Sequence, residues 1–304
     1  MSERAAAMRF SALGDIAAAL PFLRALKVRP AMVTSPAGRE LLRDEFPASI
    51  VLPDKRLRSV AGLVMQLRRA RFEVMLDLQN NDRSKLIAAL CGAKTVYSNR
   101  GMPRGVPACD NFRRILEPSG LLGPLDESFE SKPRDYIVLH PGSSARWRSK
   151  RLPDRKWTQI AVLLRERYGL PLMVSGGPDE ADYAERLTAS LPVEASCTAG
   201  TLDLQGLKRL LAEAYLVVST DSAPMHLAAA MKTPTIGIFG ATSWVRSAPF
   251  GPWSTVVYDR VYYADGRPPV RSMEEVGPYY ENIDIGAALD RLAPYLNESG
   301  SDYE

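Results

Sequence analysis

Short apolar runs alternate along the chain with stretches in which apolar residues recur at helical spacing. The apolar runs predict strands at Ala5–Phe10, Ala31–Thr34, Val74–Leu78, Thr95–Tyr97, Tyr136–Leu139, Pro171–Val174, Tyr215–Val218 and Thr235–Phe239. Amphipathic helices are predicted at Ile16–Leu26, Leu57–Ala70, Ser84–Leu90, Trp157–Arg167, Glu180–Leu191, Leu204–Ala214, Pro224–Met231 and Ile285–Leu296. Strands that alternate with helices predict an α/β fold with parallel sheets.

A segment rich in Pro, Gly and acidic residues, Leu116–Arg134, predicts a linker between two such halves. A chain of 304 residues also exceeds the usual size of one domain. We therefore predict an N-terminal Rossmann-like, doubly wound domain over residues 1–135. A second, over residues 136–304, ends in the C-terminal helix. Two such domains facing a central cleft would bind ligands at the carboxyl ends of their strands.

Composition narrows the class of protein. No apolar run approaches the roughly 20 residues that span a bilayer, and the start, Met1–Phe10, lacks the apolar core of a secretory signal. We therefore expect a cytoplasmic protein. Cys91, Cys109 and Cys197 lie far apart without a CxxC pair or a Cys/His cluster, so they predict neither disulfides nor a metal site.

The charge is spread unevenly. Through residue 135 the chain has 22 Lys and Arg against 15 Asp and Glu, a net charge of +7; the whole chain has +4, so the remainder has −3. A basic first half attracts an anionic partner, such as a phosphate-bearing glycolipid, a membrane surface or a nucleic acid. A solvated basic face explains the same charge. No aromatic-rich or helix-turn-helix pattern accompanies it, which disfavours a nucleic acid.

The first candidate site lies where the first strand meets the first helix, in Arg9–Ile16. Gly14 permits a tight turn, and Asp15 stands at the start of the helix. The Asp15 carboxylate is suited either to cap backbone N–H groups or to act as a general base at the cleft. The residue pattern leaves both interpretations open.

A Gly/Ser turn and a basic loop follow a strand of the second half. Ser143 and Ser144 come after Pro141 and Gly142, and four cations follow within Arg146–Arg151. Backbone N–H groups and point charges in this arrangement favour binding of a diphosphate. The alternative is a basic loop that is merely solvated.

In a third stretch a buried strand passes directly into a helix. Thr220, Asp221 and Ser222 offer capping groups there, and Pro224 suits the first helical turn. The N–H groups at the helix start predict a phosphate site. His226, one turn further, fits a packed core histidine better than a catalyst when taken alone.

The next strand ends in Phe239 and Gly240, followed by small residues. This stretch predicts an adjoining wall of the same pocket, because neighbouring parallel strands end at the same edge of a sheet. The glycines equally suit plain turns.

In this order the stretches resemble the ADP-heptose:lipopolysaccharide heptosyltransferase family, glycosyltransferase family 9. Members are inverting enzymes with the GT-B architecture of two Rossmann domains. The resemblance spans nearly the whole chain. The matched stretches are Ser11–Asp15 with Pro21, Pro141-Gly142 with Lys150–Pro153, Gly176–Glu180, and Asp221–His226 with Phe239–Thr242.

The resemblance implies that residues 1–135 bind the acceptor and that residues 136–304 bind the nucleotide-sugar donor. It also implies a role for each matched position. Asp15 looks like the family's general base, and Lys150 is similar to the lysine that neutralises the departing diphosphate. Glu180 matches the position that holds the nucleotide ribose. With the turn residues above, the predicted donor-binding set is Ser143, Ser144, Lys150, Gly176, Glu180, Asp221, Ser222, Ala223, His226, Phe239 and Gly240. No metal or cofactor is expected, since Lys150 and helix N–H groups would stabilise the leaving charge.

The predicted reaction is transfer of heptose, with inversion, from ADP-L-glycero-D-manno-heptose to the inner core of lipopolysaccharide. The expected partners are this ADP-sugar and an anionic glycolipid acceptor, and no nucleic acid. Arg68, Arg69 and Arg71 are a candidate peripheral contact with the cytoplasmic face of the inner membrane, although a solvated helix end explains them as well. Two alternatives stay open. One is a family member with another donor or acceptor, such as a protein or a different surface polysaccharide; the other is a non-catalytic nucleotide-sugar-binding module.

Three positions depart from the family's pattern. Leu152 stands in place of the usual Trp, Ala223 in place of Gly, and Ala18 where some members have His. Apart from Leu152 and Ala223, the donor-side motifs are retained better than anything that bears on the acceptor.

Overall fold

A computed structural model describes residues 4–99, 106–132, 134–142 and 145–296 of the chain. The chain divides into two compact units, Met1–Asp126 and Glu127–Glu304, here called the N-terminal and C-terminal units. The division falls a few residues before the boundary that composition predicts at residue 135. The assignment of acceptor binding to residues 1–135 and of nucleotide-sugar donor binding to residues 136–304 stays a prediction.

The N-terminal unit has one sheet of five parallel strands. They are β1 (Ala5–Arg9), β2 (Ala31–Thr34), β3 (Ser49–Val51), β4 (Val74–Asp77) and β5 (Thr95–Ser98). The helices are α1 (Leu13–Arg24), α2 (Pro36–Leu42), α3 (Leu57–Ala70), α4 (Asp82–Leu90) and α5 (Ala108–Leu116). The strand order β3-β2-β1-β4-β5 reverses its direction of growth at β1, which is the doubly wound arrangement.

The Ala-rich β1 is the central strand of this sheet. Its side chains from Ala5 to Met8 are buried, as expected for a parallel strand covered on both faces. Small side chains there let the covering helices approach closely. Along α3, Val60, Leu63 and Leu67 form the buried face, and the exposed positions include Leu57 and Met65 as well as basic residues near the end of the helix.

The C-terminal unit has one sheet of six parallel strands. They are β6 (Ile137–His140), β7 (Leu172–Val174), β8 (Ala195–Cys197), β9 (Leu216–Thr220), β10 (Thr235–Phe239) and β11 (Ser254–Tyr258). The helices are α6 (Asp154–Tyr168), α7 (Ala181–Ser190), α8 (Leu204–Glu213), α9 (Ala223–Ala230) and α10 (Ile285–Leu292). The order β11-β10-β9-β6-β7-β8 is that of a six-stranded Rossmann sheet.

Every strand and helix predicted from the apolar pattern is present, with shifts of a few residues at the ends. The structure adds elements that the pattern did not predict, namely β3, β8 and β11 and the helices α2 and α5. The predicted irregular stretch Tyr258–Tyr280 begins at the last residue of β11. Within the described residues it carries no further strand or helix. The predicted fold class, two Rossmann-like α/β halves, is confirmed.

Across the described ranges, no helix combines the length and the apolar character needed to cross a membrane.

Candidate functional site

In the C-terminal unit, four of the segments that the motifs single out meet at one edge of the sheet. The strands β6, β7, β9 and β10 are parallel, so their carboxyl ends lie on the same side. Gly142, Gly176, Asp221 and Gly240 each follow one of these strands by one or two residues. This edge is the candidate donor site.

Lys150 lies at the end of the 3₁₀ turn Ala145–Lys150 and reaches the segment after β9. Its Nζ donates to the backbone oxygen and to Oδ2 of Asp221, both at 3.0 Å. The two side chains are 19% and 9% exposed, so the ion pair is largely shielded from water. The Trp147 ring centroid lies 5.8 Å from the same Nζ, in cation–π range. Lys150 is therefore a fixed positive charge at this edge.

The rest of the basic loop is divided between protein contacts and solvent. The guanidinium carbon of Arg151 lies 4.9 Å from the ring centroid of Tyr183, which is a cation–π contact. Arg148 is exposed. The purely solvated loop that the charge run allowed is thus wrong for Lys150 and Arg151.

Helix α9 begins immediately after Asp221 with Ser222 as its N-cap residue. The Ser222 hydroxyl makes no side-chain cap; it lies 3.2 Å from the oxygen of Thr220 and from Oγ of Ser219. Pro224 occupies the first turn, where its missing N–H is not needed. The backbone N–H groups of this turn are consequently not capped by Ser222 and are suited to an anion. Ala223 and His226, both partly exposed, lie on the same helix start.

Gly142 and Glu180 are in close contact. A Cβ atom on Gly142 would lie 2.4 to 2.5 Å from the carboxyl atoms of Glu180, a distance that only glycine avoids. Oε2 of Glu180 accepts a hydrogen bond from the N–H of Gly177 at 2.9 Å. Thr220 Oγ1 donates to the oxygen of Gly142 at 2.6 Å. The Glu180 carboxylate is therefore held against the turn after β6, at the edge where Lys150 and Asp221 lie.

His140, the last residue of β6, is fully packed. Its Nδ1 lies 3.0 Å from Oγ of Ser175, which follows β7. Burial lowers the pKa of His140, so the imidazole is neutral at physiological pH. This histidine joins two of the strands that carry the candidate site.

Phe239 and Gly240 are packed against aromatic residues. The Phe239 side chain is fully buried in a cluster with Met225 and Trp244. A Cβ on Gly240 would lie 2.6 Å from the ring of Tyr280. Packing against this ring is enough to require glycine, so the residue type is explained even if Gly240 contacts no ligand. Tyr280 donates to the oxygen of Ser149 at 3.0 Å, and burial raises its pKa, so the phenol keeps its proton. A donor contact for Phe239 or Gly240 stays a prediction.

Ser143 and Ser144, the predicted anion-binding serines, lie outside the described residues. Gly176 is half-exposed and packs near Ala199 and Glu180.

Asp15 is the candidate base in the N-terminal unit. It is the third residue of α1, and its Oδ2 accepts a hydrogen bond from the N–H of Ala12 at 2.9 Å. The same Oδ2 lies 2.7 Å from Nη2 of Arg9. The side chain of Asp15 is 46% exposed. The capping role is therefore real, and a carboxylate that also faces solvent is still able to take a proton from a ligand.

The sequence placed Arg9 in the same candidate stretch as Asp15, but it predicted neither their contact nor the role of Gln79. Arg9 also donates through Nη1 to the oxygen of Leu78, and Oε1 of Gln79 accepts from the backbone N–H groups of Phe10 and Ser11 at 2.8 and 3.0 Å. The available signal was a run of polar residues directly after the buried strand β4, including Gln79.

Behind this turn lies the buried Asp77. Its carboxylate accepts from the N–H groups of Gln79 and Asn80 at 3.1 and 3.0 Å and from Oγ of Ser84 at 2.8 Å. Burial raises the pKa of Asp77, although these hydrogen bonds and the nearby Arg9 oppose the shift. Asp77 is thus the residue that shapes the turn after β4.

The chain is similar to known glycosyltransferases. The sequence profile described as glycosyltransferase family 9 (heptosyltransferase) matches residues 122–266. The chain is 30% identical over 285 residues to lipooligosaccharide heptosyltransferase 2 of Haemophilus influenzae, covering 84% of this chain and 78% of that protein. It is also 30% identical over 169 residues to a lipopolysaccharide heptosyltransferase 3 of Escherichia coli, covering 53% of this chain and 48% of that one.

A solved structure, E. coli heptosyltransferase WaaC with ADP, has a TM-score of 0.66 at 19% identity, over 83% of this chain and 92% of that chain. This likeness shows the fold. With the extended match to the H. influenzae protein, the chain belongs to glycosyltransferase family 9, the heptosyltransferases. The match to the E. coli heptosyltransferase 3 covers about half of that protein, 48%.

Proposed function

We propose that this protein is an inverting glycosyltransferase that transfers heptose from ADP-L-glycero-D-manno-heptose to the inner core of lipopolysaccharide. The observation that carries the proposal is the pairing of Lys150 with Asp221 at the start of α9, inside a chain of this family. It supports a diphosphate site because a shielded ammonium group and helix N–H groups that Ser222 does not cap lie at one edge of one sheet.

The donor side of the proposal uses residues of the C-terminal unit. Lys150 and the first-turn N–H groups of α9 would stabilise the negative charge that grows on ADP as it leaves. Glu180, held against Gly142, would accept hydrogen bonds from the ribose hydroxyls. Ser143, Ser144 and the remaining predicted donor residues complete this proposed set. Solved structures of E. coli heptosyltransferase WaaC support the donor class, since that enzyme binds ADP in one and ADP-2-deoxy-2-fluoro heptose in another.

The displacement needs a base as well. In the proposed step an oxygen of the acceptor attacks the anomeric carbon, and its proton passes to the carboxylate of Asp15. The bond between the anomeric carbon and the diphosphate oxygen breaks, and ADP leaves with the electron pair. Attack opposite the leaving group inverts the anomeric centre. General-base assistance of this kind contributes roughly 10²–10⁴-fold.

The proposed acceptor and the proposed location are supported by the names of the relatives and by the charge of the first half of the chain. The curated relatives are named as lipopolysaccharide and lipooligosaccharide heptosyltransferases, which supports an anionic glycolipid acceptor. The net charge of +7 through residue 135 suits such a partner. We also propose a cytoplasmic enzyme with peripheral contact at the inner membrane through the exposed Arg68, Arg69 and Arg71. Sedimentation with anionic vesicles tests that contact, and charge-neutral vesicles are the control.

The decisive experiment is a transfer assay with purified protein, ADP-heptose and a panel of truncated lipopolysaccharide acceptors. ADP release and acceptor mass are followed for the wild type, Asp15→Asn and the matched control Asp44→Asn. Asp44 is an exposed carboxylate in the same unit, 3.8 Å from Arg43. We expect a heptose mass gain that is lost in Asp15→Asn and kept in Asp44→Asn, with unchanged ADP binding in both.

Other outcomes select among the alternatives. Donor binding with transfer only to a protein or another polysaccharide would replace the proposed acceptor. ADP-heptose binding without transfer to any acceptor would indicate a non-catalytic module. A protein that does not bind ADP-heptose but transfers from another nucleotide sugar would have a different donor.

A further inference from the structure

Arg9 is a mostly buried arginine whose two terminal nitrogens have separate partners. Its side chain is 13% exposed. Nη1 donates to the backbone oxygen of Leu78 at the turn after β4, and Nη2 lies 2.7 Å from Oδ2 of Asp15. The guanidinium group therefore bridges the turn after β4 and the first turn of α1.

The hydrogen bond of Asp15 and its closest approach to Arg9 are both at the same carboxylate oxygen. Oδ2 is 2.9 Å from the N–H of Ala12 and 2.7 Å from Arg9. In the part of the chain that the structure describes, Oδ1 accepts no hydrogen bond. A carboxylate held through one oxygen presents the other in a defined direction.

The backbone on which Arg9 and Asp15 lie is itself tethered to the neighbouring turn. Oε1 of Gln79 accepts from the N–H groups of Phe10 and Ser11, and Asp77 in turn accepts from the N–H of Gln79 at 3.1 Å. Packing and backbone hydrogen bonds thus already hold this segment. The contact of Arg9 with Asp15 adds orientation of the carboxylate to an existing scaffold.

Arg9 is also a costly residue to bury. Its Nε is buried without a hydrogen-bond partner among the described residues. An apolar side chain of similar length would fill the same space without a charge or an unsatisfied donor. A role in packing alone therefore does not account for a guanidinium group here.

We propose that Arg9 is a positioning residue for Asp15. It occupies Oδ2 and reserves Oδ1 as the oxygen that receives the proton of the acceptor hydroxyl. Arg9 itself exchanges no proton in this step. The inference rests on the proposed function of Asp15 as the general base, and it adds the group that aims that base.

The test compares Arg9→Gln and Arg9→Lys with the matched control Arg24→Gln. Arg24 lies in the N-terminal unit, as Arg9 does, and its Nε forms an ion pair with Glu45 at 2.6 Å. This pair is at the end of α1 that is far from Asp15. We expect kcat to fall about 10- to 100-fold in Arg9→Gln, with ADP affinity and the donor KM within about twofold of the wild type. Arg9→Lys should recover part of kcat, and added guanidinium ion should restore part of it in Arg9→Ala. Arg24→Gln should retain kcat.

A second readout does not depend on turnover. Unfolding is measured for the wild type, Arg9→Gln, Asp15→Asn and the double variant. Non-additive shifts of the unfolding midpoint support the ion pair, and additive shifts overturn it. A folded Arg9→Gln variant with wild-type kcat overturns the positioning role while the proposed function stands. A wild type without any transfer, despite a coupled Arg9–Asp15 pair, overturns the proposed function and this role with it.

Discussion

Lys150 Nζ lies 3.0 Å from the carboxylate of Asp221 and equally close to its backbone oxygen, at the point where β9 passes into α9. The two residues are 71 positions apart in the chain. The ammonium group that the family pattern assigns to the diphosphate is thus held at the start of the helix whose N–H groups are proposed to bind the same anion. The carboxylate keeps the cation in place but also lowers the positive potential that a diphosphate would meet.

Replacement of Lys150 by Gln should weaken ADP binding by about 10- to 100-fold. The reason is the loss of charge-assisted hydrogen bonds to phosphate, which contribute about 1.5–3 kcal/mol, or roughly one to two powers of ten in affinity. Isothermal titration calorimetry with ADP measures the change. Lys94→Gln is the control, because Lys94 forms an exposed ion pair with Glu73 at 2.6 Å in the other unit. Unchanged ADP affinity in a folded Lys150→Gln protein would remove Lys150 from the donor site.

Replacement of Thr220 by Val should destabilise the C-terminal unit by about 1–3 kcal/mol. The substitution keeps the side-chain shape but leaves the oxygen of Gly142 without its 2.6 Å hydrogen bond in a buried place. Chemical denaturation gives the free energy of unfolding. The matched control is Thr158→Val, since Oγ1 of Thr158 donates at 3.2 Å to Asp154 on an exposed helix surface. We expect that control to lie within about 0.5 kcal/mol of the wild type.

The hydrophobic pattern predicted the central strands well because their environment is uniform. β1, β4, β6, β9 and β10 are buried along nearly their whole length and carry continuous apolar runs. The strands that were missed have mixed side chains. β3 and β8 are each three residues long and only partly buried. β11 is an edge strand of the six-stranded sheet, at the side opposite β8. None of the three shows a clear hydrophobic period.

The candidate site was predictable only where its residues are close in sequence. Asp221 and Ser222 stand at a strand-to-helix junction that the pattern marks directly. The hydrogen bond from Arg9 to Leu78 joins positions that are 69 residues apart, and a local hydrophobic pattern cannot predict such a contact. The family resemblance supplied Lys150 and Asp15, but their neighbours emerged only when the sheet brought the strand ends together.

Stability should decrease as the pH falls below about 6.5, through His140. An unfolded histidine has a pKa of about 6.5, and burial lowers the pKa of His140 in the folded protein. Between the two values the unfolded state binds more protons, so protonation favours unfolding. The contribution of neutral His140 to the free energy of unfolding is complete above the pKa of the unfolded histidine and is lost as the pH falls. The free energy of unfolding then changes by at most about 1.4 kcal/mol per pH unit.

Denaturation at a series of pH values from about 5.5 to 7.5 measures this slope, a range centred on the unfolded histidine pKa. In His140→Gln the slope should become smaller. The chain has 2 histidines, so His226→Gln is measured alongside to separate the contribution of the other histidine from that of His140. An identical slope in the wild type and His140→Gln would assign the pH dependence to other groups.

Replacement of Gly142 by Ala should reduce nucleotide affinity, whereas the same change at Gly177 should not. A Cβ on Gly142 would lie 2.4 Å from the carboxyl group of Glu180, so that carboxylate must move away from the position proposed to hold the ribose. A Cβ on Gly177 would meet Glu180 Oε2 at 3.7 Å, an ordinary contact, and the backbone of Gly177 has a φ of −72° that alanine adopts freely.

We expect ADP to bind about 10-fold more weakly to Gly142→Ala, since the displaced carboxylate loses a charge-assisted hydrogen bond of about 1.5 kcal/mol or more. The affinity of Gly177→Ala should stay within about twofold of the wild type. Comparing ADP with ribose-free pyrophosphate separates the causes, because a ribose contact predicts a loss for ADP alone. An equal loss for both ligands would mean that Gly142→Ala disturbs the phosphate site, and Glu180 would then lose its proposed role.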